Sequence, residues 1–159
     1  MKRSPGVSNY YNISTIKLVV LLVMQISMIY PDSTKQANTN EVGILSVDSI
    51  DKDIYELKIY VISDSPVAGL QFGLKPDDLF EVLDVYGGKS ENQKFMIHHN
   101  KKGTILGFSM TGAVISKSSS RKPEDNVAIK VKVKKIRDHK QGEFIRLNSI
   151  LAAIGGTKI

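Results

Sequence analysis

"SPVAGLQFGL", residues 65–74, decides the fold. Ala68, Leu70, Phe72 and Leu74 alternate with Val67, Gly69, Gln71 and Gly73, so one side is apolar and the other nearly bare. Side chains along a strand leave opposite faces at each step, whereas a helix returns to the same face every third or fourth residue. This period of two predicts a strand with one face on a core. Glycine inside a strand loses packing unless a backbone or a ligand approaches closely. Two readings of the bare side follow: a contact surface centred on Gln71, or glycines that relieve crowding beneath a neighbouring loop or mark a bulge.

Working outward, the same period recurs. "YELKIYVI" (55–62) sets Tyr55, Leu57, Ile59 and Val61 against Glu56, Lys58 and Tyr60. "LFEVLDVYGG" (79–88) reads as a strand closed by two glycines. "GTILGFSMTG" (103–112) predicts Leu106, Phe108 and Met110 inward, with Ile105, Gly107, Ser109 and Thr111 outward. "NVAIKVKVKKI" (126–136) predicts Val127, Ile129, Val131 and Val133 inward, with Lys130, Lys132 and Lys134 as an outward basic ridge. "EFIRLNSI" (143–150) opposes Ile145 and Leu147 to Arg146 and Asn148. Shorter candidates are "GILSV" (43–47), "KFMIHH" (94–99) and the terminal "TKI". Turn-rich stretches such as "DSP", "KPDD", "GGKSENQ" and "DHKQG" fall between the runs, and "KSSSRKPEDN" reads as a flexible loop. No helical apolar stripe lasts three turns after residue 42. The expected fold is all-β, an antiparallel β-sandwich or jelly roll of eight or nine strands over residues 42–159.

Ahead of that body, "MKRSPGVSNYYNISTIK" is basic and polar, and "LVVLLVMQISMIY" (18–30) is mostly apolar. That layout predicts a secretory signal peptide. Thirteen residues at about 1.5 Å each give roughly 20 Å of helix, short of the ~30 Å hydrocarbon core. A signal anchor is the alternative, because no small-x-small cleavage triplet follows. Residues 1–37 are therefore read as signal or anchor plus linker, and the protein as secreted, touching membrane only through 18–30 if uncleaved. Formal net charge is +6; Lys2, Arg3, Lys17 and Lys35 against Asp32 place +3 in the leader and leave +3 for the body. That mild balance argues against nucleic acid as a partner. With no cysteine, the fold relies on packing and hydrogen bonds; with no tryptophan, the strongest stacking platform for sugars is missing.

The strings "VAGLQFGL", "PDDLFEVLDVYGG", "GTILGFSMTGAVI", "NVAIKVKVKKI" and "GEFIRLNSILAAIGG" resemble, in order and spacing, the cohesin-like family. The resemblance covers about residues 42–159. It implies a nine-stranded jelly-roll sandwich, related to carbohydrate-binding modules, with a non-catalytic role in which a sheet face grips a calcium-binding dockerin. The positions matching the family's contact residues are Gly69 and Gln71, with Gly73 beside them. Two of these carry no side chain, none is acidic, and Lys75 stands where an Asp before the proline is usual. Ser109 and Thr111 join the candidate surface if their strand neighbours that of Gln71.

Other chemistry finds little support. "GFSMTG" lacks the second glycine and the following helix of a nucleophile elbow. His98 and His99 are adjacent, so in an extended segment they leave opposite faces and cannot share a metal by themselves. Asp48, Asp51 and Asp53 fall around an expected turn and form a weak calcium candidate, with a solvated hairpin as the plainer reading. Lys130, Lys132 and Lys134 either meet an anionic partner or guard an edge strand against aggregation. No cofactor is implied. The expected function is an exported, non-catalytic module that docks a protein, dockerin-type or other; the alternative is a polysaccharide-binding or surface structural module.

Overall fold

β-branched and aromatic residues at alternate positions favour pleated strands, and burial of one side of each strand drives two sheets together about 10 Å apart. The computed structural model describes residues 40–159 and realises this arrangement. The leader and linker read over 1–37 lie outside the described residues. Eight strands follow in order: β1 (Glu41–Asp51), β2 (Ile54–Ile62), β3 (Gly69–Lys75), β4 (Phe80–Tyr86), β5 (Met96–His99), β6 (Thr104–Phe108), β7 (Val127–Lys135) and β8 (Arg146–Ala152). They form two four-stranded sheets, β1-β2-β7-β4 and β5-β6-β3-β8, with every pairing antiparallel. One five-residue helix, α1 (Gly88–Asn92), interrupts the strands inside the "GGKSENQ" breaker.

The core lies between the sheets. Leu57, Ile59 and Val61 of β2 and Ile129, Val131 and Val133 of β7 face Leu70, Phe72 and Leu74 of β3, all buried. Val67, expected on the bare side, is also buried. It precedes β3 and makes an isolated bridge to Ile115, with mutual N–H to C=O bonds of 2.9 Å.

Two sequence expectations are reversed. In β6 the buried residues are Ile105 and Gly107, while Leu106 and Phe108 point outward and Met110, beyond the strand, is 74% exposed. Alternation shows which residues share a face but not which face is inside, and here close approach decides. A Cβ on Gly107 would lie 2.8 Å from both Ile97 Cδ1 and Leu70 Cδ1, so any larger residue there must push those two side-chain ends aside. Second, β7 is an interior strand, hydrogen-bonded to β2 on one side and β4 on the other. Its lysines therefore guard no edge.

Two connections are tied down by side chains. The stretch read as a flexible loop is anchored by buried Asn126, whose Nδ2 donates to the carbonyls of Ser120 and Lys122 (2.8 and 2.7 Å) and whose Oδ1 accepts from Lys89 Nζ (2.8 Å). The β7–β8 connection is held by Arg137, whose guanidinium donates to both carboxylate oxygens of Asp78 (2.9 and 2.8 Å) and of Glu143 (2.8 and 2.7 Å). Such forked pairing fixes direction as well as distance. It draws Glu143 down to about 2, chiefly through Arg137 and secondarily through the Lys140 N–H.

Candidate functional site

Register places the bare side of β3 at the middle of an exposed sheet face. Residues paired across antiparallel strands share a face, so rows can be followed from strand to strand. Met96, Phe108, Gly69 and Ala152 form one row; His98, Leu106, Gln71 and Ile150 form the next; Thr104, Gly73 and Asn148 form the third. Met96, Leu106 and Ile150 are 45%, 41% and 43% exposed and lie on adjacent rows of one face. Phe108 is half-buried beside Gly69 and stacks on His98, ring centroids 6.1 Å apart at 20°. The face is thus an apolar strip with Gln71 near its centre.

The two glycines are open. A Cβ on Gly69 would meet Ala152 Cβ at 3.6 Å, and one on Gly73 would meet Asn148 Cβ at 3.8 Å, both ordinary contacts. No loop covers either position, and β3 pairs without a register shift. Crowding relief and a bulge are therefore excluded as reasons for these glycines. What they leave is a shallow stretch of sheet without side chains.

Ser109 and Thr111 lie elsewhere than expected. β6 ends at Phe108, and both fall in the following turn rather than on the outward face of a strand. Ser109 Oγ accepts the N–H groups of Thr111 (3.2 Å) and Ala113 (3.0 Å) and lies 3.1 Å from Thr111 Oγ1. Its hydroxyl shapes the turn, in keeping with the local bonding habit of serine. Met110 and Ile154, 74% and 70% exposed, follow β6 and β8 in the chain, just after the Phe108 and Ala152 that flank Gly69.

The outer face of the other sheet differs in kind. Lys132 stands between Glu56 and Asp84, Lys134 between Ile54 and Glu81, and Lys130 between Lys58 and Tyr86. Lys58 Nζ meets Asp48 at 2.9 Å, Lys130 meets Glu56 at 3.8 Å, and Lys101 meets Glu81 at 2.7 Å. Tyr86 donates to Glu56 at 2.5 Å, and that bond is the main reason its hydroxyl is pushed up to about 12. Tyr60 donates likewise to Glu41, so these two rings are held by acids rather than offered to a sugar. The expected basic ridge is set among carboxylates: Lys132 has one on each side, Lys134 has Glu81 on one side, and Lys130, opposite Lys58, reaches Glu56.

The aspartates read as a calcium candidate separate as well. Asp48 lies within β1 and pairs with Lys58, Asp51 accepts the Lys52 N–H at 2.7 Å, and Asp53 lies 3.5 Å from Lys135. Among the described residues no group of three acidic, histidine or cysteine side chains is brought together as metal ligands. A concavity of about 470 Å³ beside β1, lined by Val47, Tyr55, Phe80 and Ile145, is mainly apolar; its Lys135 is already engaged by Asp138 and Asp53.

This architecture is a cohesin-like β-sandwich, with a charged face on one sheet and an apolar face on the other. The comparison with solved structures agrees: a chain of the CaDoc0917–CaCohA2 crystal structure, a cohesin–dockerin complex at pH 5.5, matches with a TM-score of 0.50 at 17% identity, over 75% of this chain and 92% of that one. The chitin-binding domain of a chitinase from Pyrococcus furiosus also matches, with a TM-score of 0.40 at 11% identity, over 76% of this chain and 98% of that one. No family model matches the sequence, and no curated protein matches it.

Proposed function

We propose that the domain is an exported, non-catalytic module that docks a protein partner through the outer face of the β5-β6-β3-β8 sheet. One observation carries the reading: Met96, Leu106, Phe108 and Ile150 surround the open positions Gly69 and Gly73, with Gln71 between them. With strands about 4.8 Å apart and alternate residues about 6.7 Å apart, the three rows cover roughly 14 by 13 Å. That suits the apolar centre of a standard interface, completed by a polar rim and by the loops bearing Met110 and Ile154. Export rests on the leader, and the protein class of the partner on the breadth and flatness of the strip.

The test compares three variants as bait against the secreted proteins of the source. Gln71→Arg and Leu106→Asp should each lose a partner that the parent retains, with melting temperature nearly unchanged. Lys132→Glu, on the opposite face, should retain it. Loss with Lys132→Glu alone would overturn the assignment of the face. Retention on an insoluble polysaccharide column, abolished by His98→Ala or Phe108→Ala, would replace a protein partner with a sugar.

A further inference from the structure

A concavity of about 240 Å³ opens between the end of α1 and the segment 115–119, off the three rows of the docking face. Its polar lining is Lys89, Asn92, Gln93, Ser116, Lys117 and Ser119, together with buried Ile115. No carboxylate is among these residues. Glu91, the acid of α1, lines a separate concavity with Tyr86 and Phe95, and Asp64, beside Ser63, meets Arg121 at 3.1 Å. Among the described residues neither Lys89 nor Lys117 makes an ion pair.

Both walls are held by the fold. Ile115 is bridged to Val67, and Ser118 donates its N–H to the Ser63 carbonyl (2.8 Å) and accepts the Ser63 N–H on Oγ (3.1 Å). Among the described residues the side chains of Ser116, Lys117 and Ser119 on that wall, and of Asn92 and Gln93 on the other, make no hydrogen bond. Lys89 Nζ rests 2.8 Å from Oδ1 of buried Asn126, a neutral acceptor that fixes the ammonium without cancelling its charge. An ammonium has three donors, so two remain for a ligand.

We propose that this concavity binds a tetrahedral dianion, phosphate or sulfate, free or carried on a sugar. Two lysines supply two positive charges, and hydroxyl and amide groups from both walls supply hydrogen bonds. Lysine presents a compact point charge without the planar fork by which arginine grips a carboxylate, so a tetrahedral oxyanion suits this set better than a planar one. At about 30 Å³ per water the space takes roughly eight waters, enough for an oxyanion and part of one sugar ring. The site shares no residue with the docking face, so its failure leaves that reading untouched.

The experiment titrates inorganic phosphate into the nitrogen-15-labelled protein at neutral pH and constant ionic strength. The side-chain amide signals of Asn92 and Gln93 and the backbone amides of 116–119 should move and saturate together. Lys117→Gln should weaken binding at least about tenfold, the scale of a hydrogen bond to a charged group, with melting temperature unchanged because Lys117 has no partner in the fold. Lys117→Arg should recover part of the affinity, and Lys132→Gln, on the other sheet, should leave it as it was. Shifts that never saturate, or that are equal in parent and Lys117→Gln, overturn the site in favour of diffuse attraction to a basic protein. Acetate bound as tightly as phosphate overturns the dianion. Glucose 6-phosphate separates the sources: tighter binding than inorganic phosphate at the same signals supports an anion carried on a sugar, and weaker binding supports the free ion.

Discussion

Replacing Gly73 and Gly107 in turn by alanine tests the two opposite uses of glycine in one sheet. Gly73 faces outward, and a new Cβ would find Asn148 Cβ at 3.8 Å and no closer neighbour. Its backbone is not in the left-handed region, so alanine adopts the native conformation without strain. Losing the extra freedom of glycine in the unfolded chain stabilises by about 0.5–1 kcal/mol. For a domain of this size that is a melting temperature higher by roughly 2–5 °C. At Gly107 the same entropic gain is opposed by two contacts of 2.8 Å against buried Leu70 and half-buried Ile97. Overpacking of that kind costs about 1–3 kcal/mol, so the balance is a loss of about 1 kcal/mol and a melting temperature lower by several degrees. Thermal melts by circular dichroism and urea midpoints at constant slope measure both. A lower melting temperature for Gly73→Ala, or a higher one for Gly107→Ala, would refute the reasoning that one glycine is open and the other crowded.

Two further outcomes follow from the packing and the Arg137 clamp. Phe72→Ala should cost about 3–5 kcal/mol in urea denaturation and Phe108→Ala less than about 1 kcal/mol, since only the former is fully buried; equal losses would return Phe108 to the core. Glu143 has a folded-state value of about 2, below the ordinary 4.5, so its hold on the β7–β8 connection is complete above 4.5 and lost as pH falls toward 2. An acid protease should therefore cut near exposed Phe144 at pH 2 and spare it at pH 4.5, and Glu143→Gln should remove that difference.

Much of the architecture was readable in the pattern of residues. Leu57, Ile59 and Val61, Leu70, Phe72 and Leu74, and Ile129, Val131 and Val133 are all buried as their spacing predicts, because each run offers bulky side chains on one face only. β6 is ambiguous in sequence because both of its faces are apolar, and volume favours Leu106 and Phe108 as core; the thin space above Gly107 decides otherwise. The rank of β7 as an interior strand depends on partners far away in the chain, which no local pattern contains. Gln71, Gly69 and Gly73 stand out in the sequence because absence of side chains within an alternating run is itself a signal, and register sets all three on one outward face. The rows formed by Met96, Leu106 and Ile150 do not stand out there, since register joins residues whose separation along the chain carries no trace of their adjacency. α1 was hidden by its glycines, and the Asn126 anchor by the polarity of the loop that it secures.

The interior place of β7 also sets a schedule for synthesis. β2 ends at Ile62 and its second neighbour begins at Val127, so about 65 residues must be added before that side of β2 is covered. At roughly 5–20 residues per second, the ribosome takes about 3–13 s to supply them. Through that interval a nascent hairpin of β1 and β2 presents a bare row of amides beside Leu57, Ile59 and Val61, the sort of surface on which two growing chains adhere. Slowing translation between codons 63 and 126 should therefore raise the aggregated fraction, while slowing it after codon 135 should leave the yield of folded protein unchanged.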